Sequence, residues 1–142
     1  MARLRCGTSP QLSLIALEAG LAAFEGVDLG AVRNRSEQLT SLLIALHDVH
    51  LASRGFAVMT PREVSRRGSQ VSLTHPDGYA IMQALIAQGV ICDLRAPDVL
   101  RFGLAPLYVR CVDVHDTVAI LADIIDRRLH ERPEYRERGR VL

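Results

Sequence analysis

The fold is decided by residues 66–108, which read RRGSQVSLTHPDGYAIMQALIAQGVICDLRAPDVLRFGLAPLY. Alternating apolar and polar residues predict a strand over 69–74, and two apolar runs predict further strands over 90–94 and 99–102. Pro76 opens a helix between the first two of these strands, since proline suits the first turn of a helix. This stretch therefore predicts the order strand, helix, strand, strand.

Helices and one more strand flank this stretch. Apolar residues surround most of a predicted helix over 10–25 and recur along one face of a helix over 29–50. A strand over 56–60 follows, and the last helix begins at Asp113. The order is thus two helices followed by ββαββα. We expect an α/β fold of the two-layer α+β type, with helices packed on a small mixed or antiparallel sheet.

Length and composition indicate one globular domain. The chain has 142 residues, of which 49% are hydrophobic and 23% are charged, and this size is enough to bury a core. The net charge of +1 and the 4% of aromatic residues provide neither a basic field nor stacking platforms, so we expect no nucleic-acid partner. The apolar run 12–23 is interrupted by Glu18 and is too short to span a bilayer, so we expect no membrane partner and no secretion signal.

Cysteine usage favours a reducing compartment. The three cysteines are Cys6, Cys92 and Cys111, an odd number at wide separation. This pattern is typical of reduced thiols in a cytoplasmic protein and not of a disulfide framework. Apolar neighbours predict that Cys92 and Cys111 are small core residues.

The histidines form no catalytic or metal-binding pattern. His47 and His50 are three residues apart on a helix and could ligate a metal together, but the sequence places no third ligand, so we expect both at the surface. His75 is expected to cap the helix that Pro76 opens, and His130 to lie in the tail. We therefore assign no catalytic residue and no metal ligand.

The end of the chain is dense in charge. Six arginines lie between 127 and 142, and Pro133 and Gly139 interrupt any helix there. We expect a domain over residues 1–128 and a charged, disordered tail over 129–142.

Arg101 is the residue whose position suggests binding. It ends a predicted strand and precedes a loop that closes with Pro106, Leu107 and Tyr108. A guanidinium is planar and always charged, and its donors match the two oxygens of a carboxylate. An ordinary surface or ion-paired arginine is the alternative interpretation.

Several motifs, in the right order, resemble the carboxyl-terminal part of kynureninase. They are Arg5-Cys6-Gly7-Thr8 with Pro10, Arg67-Gly68-Ser69-Gln70-Val71-Ser72, Gly89-Val90-Ile91-Cys92-Asp93-Leu94-Arg95-Ala96-Pro97, Leu100-Arg101-Phe102-Gly103 and Pro106-Leu107-Tyr108. The resemblance covers about residues 4–128. It implies the small domain of the aspartate-aminotransferase fold type, whose enzymes use pyridoxal phosphate.

The resemblance also implies an activity and two site residues. Kynureninase hydrolyses kynurenine or 3-hydroxykynurenine to anthranilate or 3-hydroxyanthranilate plus alanine, in tryptophan catabolism. Arg101 matches the arginine that binds the substrate's α-carboxylate. Thr8 matches a threonine that reaches the cofactor phosphate of the neighbouring subunit in a dimer. The chain departs from the family pattern at Ser9, where proline is usual, and at Leu104-Ala105, where Phe-Thr is usual.

The chain contains no lysine, so all 17 basic residues are arginines. Pyridoxal phosphate is held as a Schiff base on a lysine amine, which arginine cannot replace. We expect the chain alone to be inactive and to need a pyridoxal-phosphate-binding large domain or second subunit. A non-catalytic truncated remnant and a small ligand-binding or dimerisation module remain open alternatives. Arg67 and Arg95 also match family positions, and we expect them to form ion pairs that hold the strands.

Overall fold

The computed structural model describes residues 10–137, which fall into two compact units divided between Ala31 and Val32. Helix α1 (Gln11–Ala22) belongs to the first unit, and α2 (Leu29–Leu46) crosses the division within its first turn. Both helices lie within the segments that the apolar pattern predicts.

Helix α1 has no buried residue, although apolar side chains surround most of it. Leu12 is 84% exposed and Ile15 is 62% exposed. The start of α2 is capped as predicted, because the Asp28 carboxylate accepts a hydrogen bond from the Gly30 N–H at 2.8 Å. No helix within the described range 10–137 is long and apolar enough to cross a membrane.

The second unit contains a four-stranded antiparallel sheet and three further helices. Its elements after α2 are β1 (Ala57–Val58), β2 (Gln70–Thr74), α3 (Gly78–Ala87), β3 (Asp93–Arg95), β4 (Val99–Gly103), α4 (Cys111–Asp126) and α5 (Pro133–Arg136). The strands are ordered β1-β2-β4-β3, and every neighbouring pair is antiparallel. The predicted α/β class is confirmed, and so is the order ββαββα.

An apolar cluster fills the space between one face of the sheet and the helices. Leu73 on β2 and Leu100 on β4 are fully buried against Leu43, Ile81 and Leu121 from the three long helices of this unit. Because side chains alternate across a strand, the residues directly before and after each buried leucine point to the opposite face of the sheet. That opposite face is half-exposed and polar.

Two element boundaries differ from prediction for local reasons. The strand expected over 90–94 starts later, at Asp93. Helix α4 starts at Cys111, two residues before the expected Asp113. The Asp113 carboxylate acts from inside the helix, since it accepts a hydrogen bond from the Arg110 N–H at 2.7 Å.

The end of α2 differs more, because it gives way to a π-helical turn at His47–Leu51. The prediction that His47 lies at the surface is wrong, since its side chain is buried. Its Nε2 lies 3.1 Å from the Phe56 carbonyl oxygen and its Nδ1 lies 3.0 Å from Oδ1 of Asp48. His50 is exposed, as expected.

The segment after α4 differs from the solvated tail expected there. A 3₁₀ turn at Leu129–Glu131 and helix α5 both pack against α3. His130 is buried, and Tyr135 packs on the apolar cluster. Residues 129–137 are thus attached to the domain by buried side chains, which the high charge of this segment does not predict. The rest of the expected tail, 138–142, lies outside the described residues.

Candidate functional site

Arg101 lies at the centre of the polar face of the sheet. Its strand, β4, pairs on both sides, which sets Arg101 directly opposite Ser72 of β2 and Asp93 of β3. Its neighbours Leu100 and Phe102 point into the core. The arginine side chain is 28% exposed, so it is partly accessible to solvent while strand pairing holds its backbone on both sides.

A carboxylate already contacts this guanidinium. Nη2 of Arg101 donates to Oδ2 of Asp93, and Nη2 of Arg95 lies 3.6 Å from the same oxygen. The hydrogen bond from Arg101 is the main reason that the pKa of Asp93 lies below its ordinary value. The pair shows that this face can hold a carboxylate.

The Nε–H of Arg101 is buried and has no hydrogen-bond partner among residues 10–137. A buried donor of this kind normally has an acceptor, because leaving it without one costs about 1–3 kcal/mol. Nε and Nη2 lie on the same edge of the guanidinium, the edge that a carboxylate binds with both oxygens. An incoming carboxylate could therefore supply the acceptor that Nε lacks.

Uncharged polar groups surround the arginine on the sheet. Gln70 Nε2 donates to Ser72 Oγ at 3.1 Å, and the Ser72 N–H donates to Thr60 Oγ1 at 2.8 Å. These bonds fix the strand next to Arg101 without adding a second negative charge. The polar face thus presents the guanidinium groups of Arg101 and Arg95, the carboxylate of Asp93 and neutral hydrogen-bonding groups.

The loop after β4 lines a groove from which Arg101 is absent. This open groove of about 610 Å³ is lined by Phe102, Leu104 and Tyr108, by residues 89–91 after α3, and by residues of α4. Sequence analysis placed Arg101 at the mouth of that loop, but strand alternation directs Arg101 and Phe102 to opposite faces. The groove and the arginine are therefore separate features.

Thr8, the predicted phosphate contact, lies outside the described residues. Its role stays a prediction. The other predicted site residue, Arg101, lies at the centre of the polar face, and its binding role also stays a prediction.

The expectation of an ion pair is wrong for Arg67. Its guanidinium is buried and donates from Nε to Thr40 Oγ1 at 3.1 Å and from Nη2 to Ser41 Oγ at 2.5 Å. Nη1 donates to the carbonyl oxygen of Arg62. Neutral oxygens, not a carboxylate, hold this arginine and join its loop to α2.

Arg95 does form the expected ion pair, with Asp93, but its side chain is 65% exposed. The sequence analysis did not select Asp93 as a site residue. Its position two residues before Arg95 places both on one face of a strand. The pairing with Arg101 depends on the register between β3 and β4, which the sequence alone does not give.

The cysteines are not equivalent. Cys111 is exposed, so the prediction of a core position is wrong, and its sulfur accepts a hydrogen bond from Arg35 Nη1 at 3.3 Å. Cys92 is half-buried against the apolar cluster. Burial raises the pKa of the Cys92 thiol to about 11, which makes it a poor nucleophile.

Metal binding has no support among the described side chains. No group of three or more histidine, cysteine, aspartate or glutamate residues in the range 10–137 is arranged to hold an ion. The polar groups that the described residues place on the polar face of the sheet are oxygen atoms, an amide and guanidinium groups.

Known proteins resemble the chain over nearly its whole length. The family model for the kynureninase C-terminal domain matches residues 32–121. The chain is 46% identical over 141 residues to proteins named kynureninase from Burkholderia mallei (strain SAVP1) and Burkholderia pseudomallei (strain K96243), and 43% identical to one from Pseudomonas fluorescens. Each match covers 99% of this chain and 34% of the relative.

The chain thus spans about a third of the length of the curated relatives that it matches. The family match covers β1 to β4 and most of α4, and so includes Arg101 and Asp93. The predicted resemblance is confirmed, and the chain belongs to the family of kynureninase C-terminal domains.

Proposed function

We propose that this chain forms the substrate-binding part of a kynureninase active site, in which Arg101 holds the α-carboxylate of kynurenine or 3-hydroxykynurenine. The observation that supports this role is the buried Nε–H, which has no acceptor within the part of the chain that the structure describes, on a guanidinium that already contacts the Asp93 carboxylate. The complete enzyme would hydrolyse the Cβ–Cγ bond to give anthranilate or 3-hydroxyanthranilate and alanine, in cytoplasmic tryptophan catabolism.

Arg101 would act by orienting the substrate. Its guanidinium stays protonated at every relevant pH, so it moves no proton in the reaction. Two parallel hydrogen bonds to a carboxylate fix both the distance and the rotation of the bound amino acid. Asp93 would keep the guanidinium in place between substrate molecules, because it holds Nη2 from the neighbouring strand.

The chain does not offer the covalent anchor for pyridoxal phosphate. When bound, this cofactor supplies the electron sink for bond cleavage, and it is held through a lysine, which this sequence lacks. Thr8 would contribute a phosphate contact across a dimer. The lysine would come from a large domain or a second subunit, so the chain alone would be inactive.

Calorimetry with two ligands tests the carboxylate contact. Kynurenine and kynuramine share the aromatic amine and the ketone, but kynuramine lacks the α-carboxylate. We expect the chain to bind kynurenine more tightly than kynuramine, and Arg101→Ala to remove the difference. A hydrogen bond to a charged group is worth about 1.5–3 kcal/mol, so the loss should be roughly tenfold to a hundredfold in affinity.

Two variants control this experiment. Arg101→Lys keeps the charge but loses the planar fork, and should recover only part of the preference for kynurenine. Arg95→Ala removes a neighbouring arginine that contacts the same aspartate, and should leave the preference intact. Equal binding of the two ligands, or an effect of Arg95→Ala as large as that of Arg101→Ala, would reject the assignment.

Activity is measured on the same samples. With pyridoxal phosphate and kynurenine, the chain alone should release no anthranilate. Turnover by the chain alone would overturn the requirement for a lysine-bearing partner.

The exposed apolar surface of α1 supports the need for a large domain or a second subunit that covers it. None of the 12 residues of α1 is buried, and apolar side chains such as Leu12, Leu17 and Leu21 are exposed by more than half. A surface of this kind usually meets a partner. We expect a lysine-bearing polypeptide to copurify with the chain. The double variant Leu17→Gln with Leu21→Gln should prevent this copurification. Dimerisation of the chain alone through α1 would instead support the interpretation as a dimerisation module.

A further inference from the structure

Two buried histidines meet where the end of the chain packs on the start of α3. His75 precedes α3 and His130 lies in the 3₁₀ turn after α4, and both are less than 9% exposed. Their ring centroids are 6.2 Å apart in an edge-to-face arrangement. Phe56 covers the His75 ring from another side, with centroids 4.8 Å apart. The contact therefore joins segments that are distant in sequence.

The hydrogen bonds of His75 require its neutral form. Its Nδ1 accepts a hydrogen bond from the Asp77 N–H at 3.0 Å, so this nitrogen carries no proton. Gly55 lies against Nε2 so closely that an added Cβ would be 3.1 Å from it. A proton on Nδ1 would face the Asp77 N–H, donor against donor.

His130 is placed differently. Its Nδ1 lies 3.3 Å from the Ile124 carbonyl oxygen, which makes this nitrogen the donor. Its Nε2 lies 3.7 Å from Oδ2 of Asp77.

The charges around His75 come from every segment that meets there. Asp77 favours its protonated form and His130 opposes it. The Arg54 guanidinium is neutralised by Asp126 at 2.7 Å, and Asp98 contributes only its backbone carbonyl, which accepts the His75 N–H at 3.2 Å. Burial outweighs the attraction of Asp77 and lowers the pKa of His75 below its ordinary value of 6.5.

We propose that His75 is a proton-sensitive lock, whose protonation at Nδ1 releases the segment 129–137 from α3. The segment is held by contacts that converge on this point: the 3₁₀ turn carries His130, α5 packs on α3, and Tyr79 Oη donates to the Glu137 carbonyl oxygen at 3.2 Å. Release would expose the start of α3 and free the last turns of the chain under mild acid. This device is separate from the carboxylate site at Arg101.

Linkage sets the expected size of the effect. When the segment opens, His75 regains its ordinary pKa and binds a proton more readily than in the closed state. The opening equilibrium should therefore rise as the pH falls from 7.5 to 5.5, by at most about tenfold. The sign is fixed: the closed form is favoured above pH 6.5 and weakens as the pH falls.

Hydrogen exchange of the full chain, corrected for the intrinsic effect of pH, measures this opening. The reporting amides are those of Glu131, Arg132 and Tyr135, which donate to the carbonyl oxygens of Arg128, Leu129 and Arg132. We expect faster exchange of these three at pH 5.5, by at most about tenfold. The amide of Met59, bonded to the Ser72 carbonyl oxygen in the sheet, should show no such increase.

Two matched variants identify the responsible histidine. His75→Asn keeps an acceptor for the Asp77 N–H but cannot be protonated, and should abolish the pH dependence. His130→Asn keeps a donor for the Ile124 carbonyl and should preserve it. Persistence of the effect in His75→Asn, or its loss in His130→Asn, would overturn the proposal.

A measurement on the unaltered chain covers the case in which a variant does not fold. The imidazole resonances of His75, followed by NMR, should titrate over the same pH range in which the segment amides lose protection. Titration of His75 without any change in those amides would also overturn the proposal.

Discussion

The two faces of strand β4 differ in what determines them. On the inner face, Leu100 is fully buried and Phe102 nearly so, and packing fixes both. On the outer face, Arg101 is partly exposed and pairs with a half-exposed Asp93. Folding requires the inner face, whereas nothing in the packing of the core requires an arginine outside. The comparison teaches that the polar side chains available for binding lie on the face of the strand that core packing constrains least.

Truncating the inner face should have the largest effect. Leu100→Ala removes a fully buried side chain and leaves a cavity, so we expect the free energy of unfolding to fall by about 2–5 kcal/mol. Urea denaturation followed by circular dichroism measures this loss. Arg101→Ala, one residue along the same strand, is the control and should cost far less; equal losses would show that the two faces are not distinct.

Thiol reactivity should distinguish a buried cysteine from an exposed one, and we expect this effect to be smaller than that of Leu100→Ala. The pKa of Cys92 is raised from 9.0 to about 11 by burial, which lowers its thiolate fraction at pH 8 by roughly a hundredfold. Iodoacetamide at pH 8, with mass spectrometry of the peptides, should therefore label the exposed Cys111 well before Cys92. Labelling of Cys92 at the same rate would mean that its segment opens often.

The loss of stability at acid pH should reveal the contribution of the ion pair between Arg101 and Asp93. We expect this effect to be the smallest of the three. The hydrogen bond from Arg101 lowers the pKa of Asp93 below its ordinary 3.8, so the pair stabilises the fold above that pH and loses its contribution as the pH falls through the lowered value. Asp93→Asn should thus flatten the decline of the urea midpoint below pH 4. An unchanged decline would mean that the pair contributes nothing measurable.

The sequence predicted the parts of this fold that local patterns control. The alternation in β2 and β4 gave their faces, and the apolar spacing gave the helices. It also led to Arg101, through the order of motifs around it. What it missed depends on contacts between distant segments: the burial of His47 beneath the Phe56 carbonyl and of His130 beside α3.

The partner of Arg101 was missed for a similar reason. Asp93 and Arg101 are eight residues apart, and their contact requires a particular register between two short strands. Neither strand length nor composition determines that register. The free Nε–H of Arg101 likewise depends on what lies around it in three dimensions.

The antiparallel pairing that sets Leu100 opposite Leu73 and Arg101 opposite Ser72 has one more consequence. Because neighbouring side chains in a strand point in opposite directions, a shift of β4 by a single position would turn the guanidinium inward and the leucine outward. Such a misaligned strand would bury a charge and remove Arg101 from the polar face in the same event. Correct folding of this domain and the carboxylate contact proposed for Arg101 therefore depend on the same strand register.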